Sequence, residues 1–312
     1  MKEYRLSYYS KFKCVASDCK HTCCAGWEMC IDQTTLELYK NHNSDFSAFL
    51  DKGINYKKAK FNCQKGGRCA FLNQDGLCEI IINLGEDYLC QVCRDHPRFR
   101  SFFADRVEMG LGFCCEKAAK IVLGCQDKIT LIPTKDDNAT CELSFVQKNV
   151  LEFRQRVLDI LQDRKTQIQD RIKNIVSLCR SEIKEENFKK ILKTFLSFER
   201  IEKGWTKRLK TIKKSFSLTT DQKHDIICEQ FLVNSLYRHL SDAEDTLWVR
   251  ARTLACVYSW WIINSIEKIE KGQFADEFSA FCDIARQFSA EVEYSQKNLD
   301  KLYSACYKLI NI

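Results

Sequence analysis

Proline is almost missing from this 312-residue chain: Pro97 and Pro133 are the only two, and none lies beyond residue 140. Glycine is scarce in the same region, where only Gly204 and Gly272 occur. A stretch without either helix breaker excludes a turn-rich β architecture and predicts helix throughout. Long apolar runs are lacking too. The longest, Leu254 to Ile263, is about half what a bilayer crossing requires and follows Arg250 and Arg252 closely. It predicts a buried helix and no membrane partner. The opening MKEYRLSYYSKFKC holds no apolar run of signal-peptide length, so export is not expected and a cytoplasmic location is. Charge of one sign does not dominate: the net +7 permits an acidic partner without demanding nucleic acid, and its plain reading is solubility. With 45% apolar and 29% charged residues the chain reads as globular, and its length suits two domains.

What the chain has in excess is cysteine. Nineteen are present, and twelve fall in the first 115 residues. Five of them crowd into Cys14–Cys30 with the spacing C-x4-C-x3-C-C-x5-C; Cys63, Cys69, Cys78, Cys90, Cys93, Cys114 and Cys115 follow. Such density means disulfides or metal. In a reducing cytosol structural disulfides are rare, so the pattern points to thiolate–metal bonding or redox chemistry, with metal ligation favoured. Zinc and iron–sulfur clusters share this soft ligand, and each wants about four. Cys90-x2-Cys93 is one suitable pair, and Cys19-x3-Cys23 or Cys69-x8-Cys78 supplies another. Twelve cysteines exceed one four-coordinate site, so there is more than one site or some cysteines are structural. His21 and His96 lie beside the cysteines but are secondary candidates, because thiols are already ample.

Taken in order, the N-terminal third reads as loop-rich. Thr34 or Thr35 is placed as the cap of a short helix ending near Tyr39. Asp75-Gly76 between apolar pieces predicts a hairpin that presents Cys69 and Cys78 together. Pro97 stops any helix there. A helix starts near Cys114-Cys115 and ends at Gly124. The segment Glu108-Met109-Gly110-Leu111-Gly112 has the look of a nucleotide-binding loop, yet no βαβ series is expected around it, so it is discounted. KITLIP reads as one strand, and the polar stretch 134–140 as the boundary between domains 1–133 and 141–312. Beyond it, Leu143, Val146, Val150, Phe153, Val157 and Ile160 line one helical face. Asp245 caps a helix that runs to Lys271 and leaves at Gly272. Patterned segments at 166–203, 221–240, 274–291 and 298–311 complete the picture. The fold class is therefore mainly α: a loop-rich, cysteine-cluster, metal-binding N-terminal domain followed by an all-helical bundle. One basic patch, Lys203, Lys207, Arg208, Lys210, Lys213 and Lys214 around Trp205, is either a docking face for an acidic or disordered substrate or a solvated helix face.

Cys14, Cys19, Cys23-Cys24 with Gly26-Trp27, then Arg68-Cys69-Ala70-Phe71-Leu72 to Gly76-Leu77-Cys78, then Leu89-Cys90 to Cys93-Arg94-Asp95-His96-Pro97-Arg98-Phe99 together resemble the flagellin lysine-N-methylase (FliB) family. Gly110-Leu111-Gly112-Phe113-Cys114-Cys115-Glu116 continues the resemblance, which covers about residues 10–125. The same front half is similar to the broader class of zinc- or iron-chelating cysteine-cluster proteins. The resemblance implies a cytoplasmic enzyme that methylates flagellin lysine ε-amines from S-adenosylmethionine. It also implies a [4Fe-4S] cluster, with an electron donor if the route is radical. The chain departs from the usual radical motif: C-x3-C is present at Cys19 and Cys23, but Gly26 stands where a third cysteine belongs. Ligands must then come from distant segments. The candidates are Cys14, Cys19, Cys23, Cys24, Cys69, Cys78, Cys90 and Cys93, with Cys30 outside the pattern. Arg94 and Arg98 are candidates for the cofactor's carboxylate, given the bidentate geometry of arginine; ordinary salt bridging is the plain alternative. Glu79, Asp87 and Glu108 are acidic neighbours without an assigned role. The alternative function is a non-catalytic zinc- or iron-binding module with a helical partner-docking domain.

Overall fold

A computed structural model describes residues 1–25, 29–65, 67–135, 141–201, 204–213 and 215–311. Gly26, Trp27, Gly66, residues 136–140 of the expected boundary, Lys203 and Lys214 lie outside them. In chain order the elements are β1 (Lys2–Leu6), α1 (Gln33–Lys40), α2 (Ser47–Gly53), β2 (Ile54–Asn55), β3 (Lys60–Phe61), α3 (Glu79–Leu84), α4 (Gln91–Asp95), β4 (Arg98–Phe102), β5 (Arg106–Leu111), α5 (Glu116–Leu123) and β6 (Leu131–Lys135). Helices alone follow among the described residues: α6 (Phe145–Leu161), α7 (Ile168–Leu178), α8 (Glu185–Leu196), α9 (Trp205–Ile212), α10 (Asp225–His239), α11 (Thr246–Ile269), α12 (Glu277–Phe288) and α13 (Gln296–Tyr307), besides short single turns. The chain is mainly helical. Among the described residues no helix is long and apolar enough to cross a membrane.

The chain divides into two compact units, Lys13–Arg98 and a second made of Met1–Phe12 with Phe99–Ile312. This differs from the division at 133/141 read from the sequence. The reason is pairing across the chain. β1 runs parallel to β5 (Lys2 opposite Arg106, Arg5 opposite Met109) and antiparallel to β6 (Leu6 opposite Leu131), in a sheet ordered β4-β5-β1-β6. The first residues and residues 99–135 therefore belong to the helical unit. The sequence pattern marked only the β6 region as strand, because the partners of β1 lie about a hundred residues away and leave no local signature.

Side chains fasten this sheet to the bundle. The Tyr8 hydroxyl donates to Asn234 Oδ1, accepts from the Leu111 N–H at 3.3 Å, and the Asn234 amide donates to the Leu111 carbonyl at 3.1 Å. Burial raises the Tyr8 phenol far above its ordinary value, so it stays a donor. Glu108 on β5 and Arg154 on α6 form a two-pronged ion pair, with both bonds at 2.6–2.7 Å and both side chains buried. Deeper in the bundle, Glu229 takes Arg171 at 2.9 Å and Arg164 at 2.8 Å.

The structure also explains the discounted glycine-rich segment. Glu108 to Leu111 lie within β5 itself and α5 follows, but β6 beyond α5 runs antiparallel to β1 and β5, so no βαβ series surrounds the segment, as expected. Glu108 is also occupied by Arg154, and a Cβ at Gly110 would collide with the Phe99 ring and Leu6. Gly110 is there for close packing, so the segment remains excluded as a nucleotide loop. Helix ends mostly follow local chemistry. Asp245 accepts from the Leu247 and Trp248 N–H groups, and Gly124 closes α5. The 166–203 segment instead breaks into α7 and α8 near Arg180, which has a left-handed backbone (φ 55). Ser289–Glu293, after α12, winds as a π-helix. There Glu293 is buried beside Arg238 (3.1 Å) and His239 (2.8 Å).

Two outcomes test these buried charges. Replacing Glu108 by Ala leaves the Arg154 guanidinium buried without its partner and should cost about 3–5 kcal/mol in urea unfolding; a loss under about 1 kcal/mol would show the pair to be dispensable. The Glu293 carboxyl is pushed up by burial, but Arg238, His239 and Ser289 outweigh this and hold it at about 2, below the ordinary 4.5. A depressed carboxyl stabilises the fold above its unfolded pKa, and that stabilisation is lost as pH falls toward the folded value. Stability should therefore decline from about pH 4.5 toward pH 2 more steeply in the parent than in Glu293→Gln. Equal slopes in acid denaturation would remove Glu293 as the cause.

Candidate functional site

The unit Lys13–Arg98 has a small core: among the described residues, twelve buried ones including Tyr39, Leu50, Phe61 and Phe71. Phe61 and Phe71 meet edge-on at 5.2 Å. Around that core, short backbone ladders bring distant cysteines into register. The Cys69 N–H donates to the Cys24 carbonyl at 2.8 Å, and isolated bridges join Ala25 to Arg68, Cys63 to Cys69 and Leu72 to Cys78. Between Leu72 and Cys78 the chain reverses tightly. Asn73 Oδ1 accepts from the N–H groups of Asp75 and Leu77, and Gly76 adopts φ 76, a conformation in which a side chain would be strained. The turn expected at Asp75-Gly76 is thus present, with Cys78 leading directly into α3.

Asp32 ties the third cysteine segment to the rest. Its carboxylate caps α1 through the Thr35 N–H at 3.0 Å and accepts the Gln91 N–H at 2.8 Å, fixing the start of α4. Burial opposes its ionisation, but these N–H bonds prevail and lower its pKa. The cap is therefore Asp32, not Thr34 or Thr35, because its side chain serves two helices at once. Cys90 stands at the head of α4, and its carbonyl accepts from the N–H groups of Cys93 and Arg94 at 3.0 Å each. The helix ends at Asp95, just before the cis His96–Pro97 bond.

Five cysteines lie on these tied segments. Cys69 and Cys90 are buried, while Cys24, Cys78 and Cys93 are half-buried. A hydrogen bond from Cys93 lowers the Cys90 thiol, and the same bond raises Cys93 strongly, helped by burial and by the fields of Cys24 and Cys69. Burial raises Cys69 to about 12, with Cys24 and Cys78 adding to it. Cys78 is raised by burial and by Cys24 and Cys90. Cys24 is lowered to about 7 by its bond with Cys23, whose sulfur is 4.0 Å away. The fields of neighbouring thiolates thus add to burial in making Cys69, Cys78 and Cys93 harder to ionise. A bound cation reverses that penalty, because each thiolate is then a ligand to positive charge.

Among the described residues no three His, Cys, Asp or Glu side chains form a ready-made metal-holding group. The donor chemistry nevertheless suits a soft metal, with five thiols from three segments held by backbone bonds. No disulfide joins any of the nineteen cysteines. Of the remaining candidates, Cys14 is exposed and accepts from the Ala16 N–H, while Cys19 donates to the His21 carbonyl at 3.2 Å. Those contacts are local. Arg94 uses Nη2 to hold the carbonyls of Asp87 and Leu89, both at 2.9 Å, and Arg98 donates to the Arg94 carbonyl at 3.3 Å. Cys30 pairs across from Lys60. In the helical unit, Cys114 donates to the Tyr294 hydroxyl at 2.9 Å, and burial raises its thiol to about 12. Sequence reasoning missed Asp32. Its signal was the acidic residue two positions ahead of the threonines, followed by a helical pattern.

Comparison with known proteins places these observations. A family model described as the FliB lysine N-methylase C-terminal domain matches residues 152–311. The lysine-N-methylase of Salmonella typhimurium is 25% identical over 142 residues, 42% of this chain and 35% of that protein. The flagellar biosynthetic protein FliU of Salmonella muenchen is 27% identical over 143 residues, 42% of this chain and 84% of that one. The match thus spans about a third of the length of the first relative and most of the second. No solved structure matches. With more than half its length inside the family model, and a thiol-rich unit ahead of it, this chain belongs to the FliB lysine N-methylase family.

Proposed function

We propose that the protein is an S-adenosylmethionine-dependent protein-lysine N-methyltransferase acting on flagellin, with a [4Fe-4S] cluster bound in the Lys13–Arg98 unit. Family membership, together with the lysine-N-methylase and flagellar names of the relatives, supports the reaction and the substrate. The backbone link between Cys69 and Cys24, with the Asp32 bond that fixes the head of α4 beside Cys90, is the single structural observation that supports the cluster. Cys24, Cys69, Cys78, Cys90 and Cys93 would hold it, with Cys14, Cys19 and Cys23 as further candidates from the adjoining loop. When bound, such a cluster supplies one-electron chemistry and an open iron for a cofactor's amino and carboxylate groups.

The chain's own residues have simpler tasks. Asp32 and the Cys69–Cys24 backbone bond keep the three cysteine segments from separating. Arg94 and Arg98 are the proposed contacts for the cofactor's carboxylate, and the Arg94 bonds to Asp87 and Leu89 would hold its guanidinium in a fixed orientation. Direct transfer requires a neutral lysine amine, so the site must exclude water or supply a base. Glu108 does not serve, because its carboxylate is buried against Arg154. A radical route would add an outside electron donor. The proposed setting is the cytoplasm.

Protein purified without oxygen should contain iron and sulfide, show broad visible absorption, and add methyl groups to unmodified flagellin when given S-adenosylmethionine and reductant. Intact-mass analysis reads each transfer as one CH2 unit. Unchanged flagellin under these conditions would sink the methylase reading, and a colourless zinc protein would replace it with a non-catalytic metal module. Replacing Cys69, Cys78, Cys90 or Cys93 singly by Ser should remove more than about half of the bound metal, whereas exposed Cys141→Ser should leave it unchanged. Full metal content in all four variants would exclude this ligand group.

A further inference from the structure

The basic patch near residue 207 has two faces with different roles. Trp205, Leu209 and Ile212 turn into the core, and Arg208 turns with them. Its guanidinium donates to Asp283 at 2.8 Å, Gln287 at 2.8 Å and Glu270 at 3.2 Å, so its charge is neutralised inside the unit. Lys207, Lys210 and Lys213 recur every third residue on the opposite face and are exposed. Among the described residues no carboxylate pairs with any of the three. On α8, by comparison, Lys189 and Lys190 are paired with Glu185 and Glu186 four residues earlier.

Beside these lysines lies a cavity of about 770 Å³ lined by Thr206, Lys207, Lys210, Thr211, Ser215 and Ile269. Its volume suits a ligand of several residues or a small organic molecule. Most of its accessible lining is carbon, from the lysine stems, the threonine methyls and Ile269, while the ammonium groups of Lys207 and Lys210 and three hydroxyls supply its polar points, so it suits an extended chain that carries carboxylates to the lysines. We propose that this cavity and its lysine rim dock an acidic, extended segment of the polypeptide substrate. The inference deepens the methylase reading and rests on it for the identity of the substrate. Like-charge repulsion gives the face a second effect: it turns the substrate's own lysines away from α9 while its carboxylates are held. The modest net charge of +7 and the width of a single short helix argue against a nucleic-acid surface.

The test uses the whole protein and a fluorescein-labelled peptide of alternating Glu and Ser, read by fluorescence anisotropy. The parent should bind it, more weakly as salt rises, and should not bind the same peptide with Gln for Glu. Lys207→Glu/Lys210→Glu/Lys213→Glu should weaken binding about tenfold or more, whereas Lys189→Glu/Lys190→Glu on α8, matched for kind of charge change, should leave it unaltered. Thermal unfolding confirms that both variants fold. With flagellin as substrate, the α9 variant should raise KM by about tenfold with kcat unchanged. Equal peptide binding by parent and α9 variant overturns the proposal. So does an equal loss in the α8 variant, or tighter binding of a single-stranded oligonucleotide that disappears with the same lysines. If the parent binds the peptide through α9 but methylates nothing, the methylase reading has failed and the acidic-peptide site stands. If it methylates with an unchanged KM in the α9 variant, the docking role has failed and the enzyme stands.

Discussion

Partly buried thiols drawn from separate parts of a chain burden one another's ionisation. In the Lys13–Arg98 unit that burden falls on Cys69, Cys78 and Cys93. Cys90 gains its ease of ionisation from Cys93 at Cys93's expense, and Cys24 adds to the burden on Cys69, Cys78 and Cys93. The surrounding core is small, twelve buried residues among those described, so apolar burial by itself supplies limited stability. A cation bound by the thiolates would relieve the repulsion and join segments that the core only partly restrains. Asp32 is the counterpart to this on the protein side, since one carboxylate caps α1 and anchors the head of α4.

The helical unit solves a different problem. Its core is large and its apolar faces could slide past one another, but buried polar pairs fix their register. Glu108–Arg154 joins sheet to helix, Arg164 and Arg171 converge on Glu229, and Tyr8 and Asn234 fasten the ends of β1 and β5 to α10. Each pair is costly to break because the remaining partner is left buried. Charge that does not serve the fold is concentrated elsewhere. Lys207, Lys210 and Lys213 remain outward while Arg208, in the same run, is drawn into the interior. Residues of one charge sign in sequence therefore take two separate positions in space.

Much of the helical unit was legible without coordinates. The lack of proline and glycine beyond residue 140, the apolar spacing from Val150 to Ile160, and the signals at Asp245 and Gly124 act within one or two turns, so their neighbours in sequence are their partners in space. The cysteine density was legible for a similar reason, because it is a property of residue type alone. The short β1 was not, because Lys2–Leu6 becomes a strand only on meeting β5 and β6. Asp32 was passed over for Thr34 and Thr35, since its second bond, to Gln91, spans 59 positions. The break at Arg180 inside an apparently continuous helical pattern was hidden too.

By itself the sequence determined that the C-terminal part is helical, that the N-terminal part is rich in thiols, and which family the chain resembles. Each of these follows from residue type or from spacing within a few positions. Only the tertiary structure decided which thiols share one another's fields, that Glu108 is a buried counter-ion and Gly110 a packing glycine, and which basic residues of the 203–214 run face outward. These are questions of proximity between groups far apart along the chain, and proximity arises from folding alone.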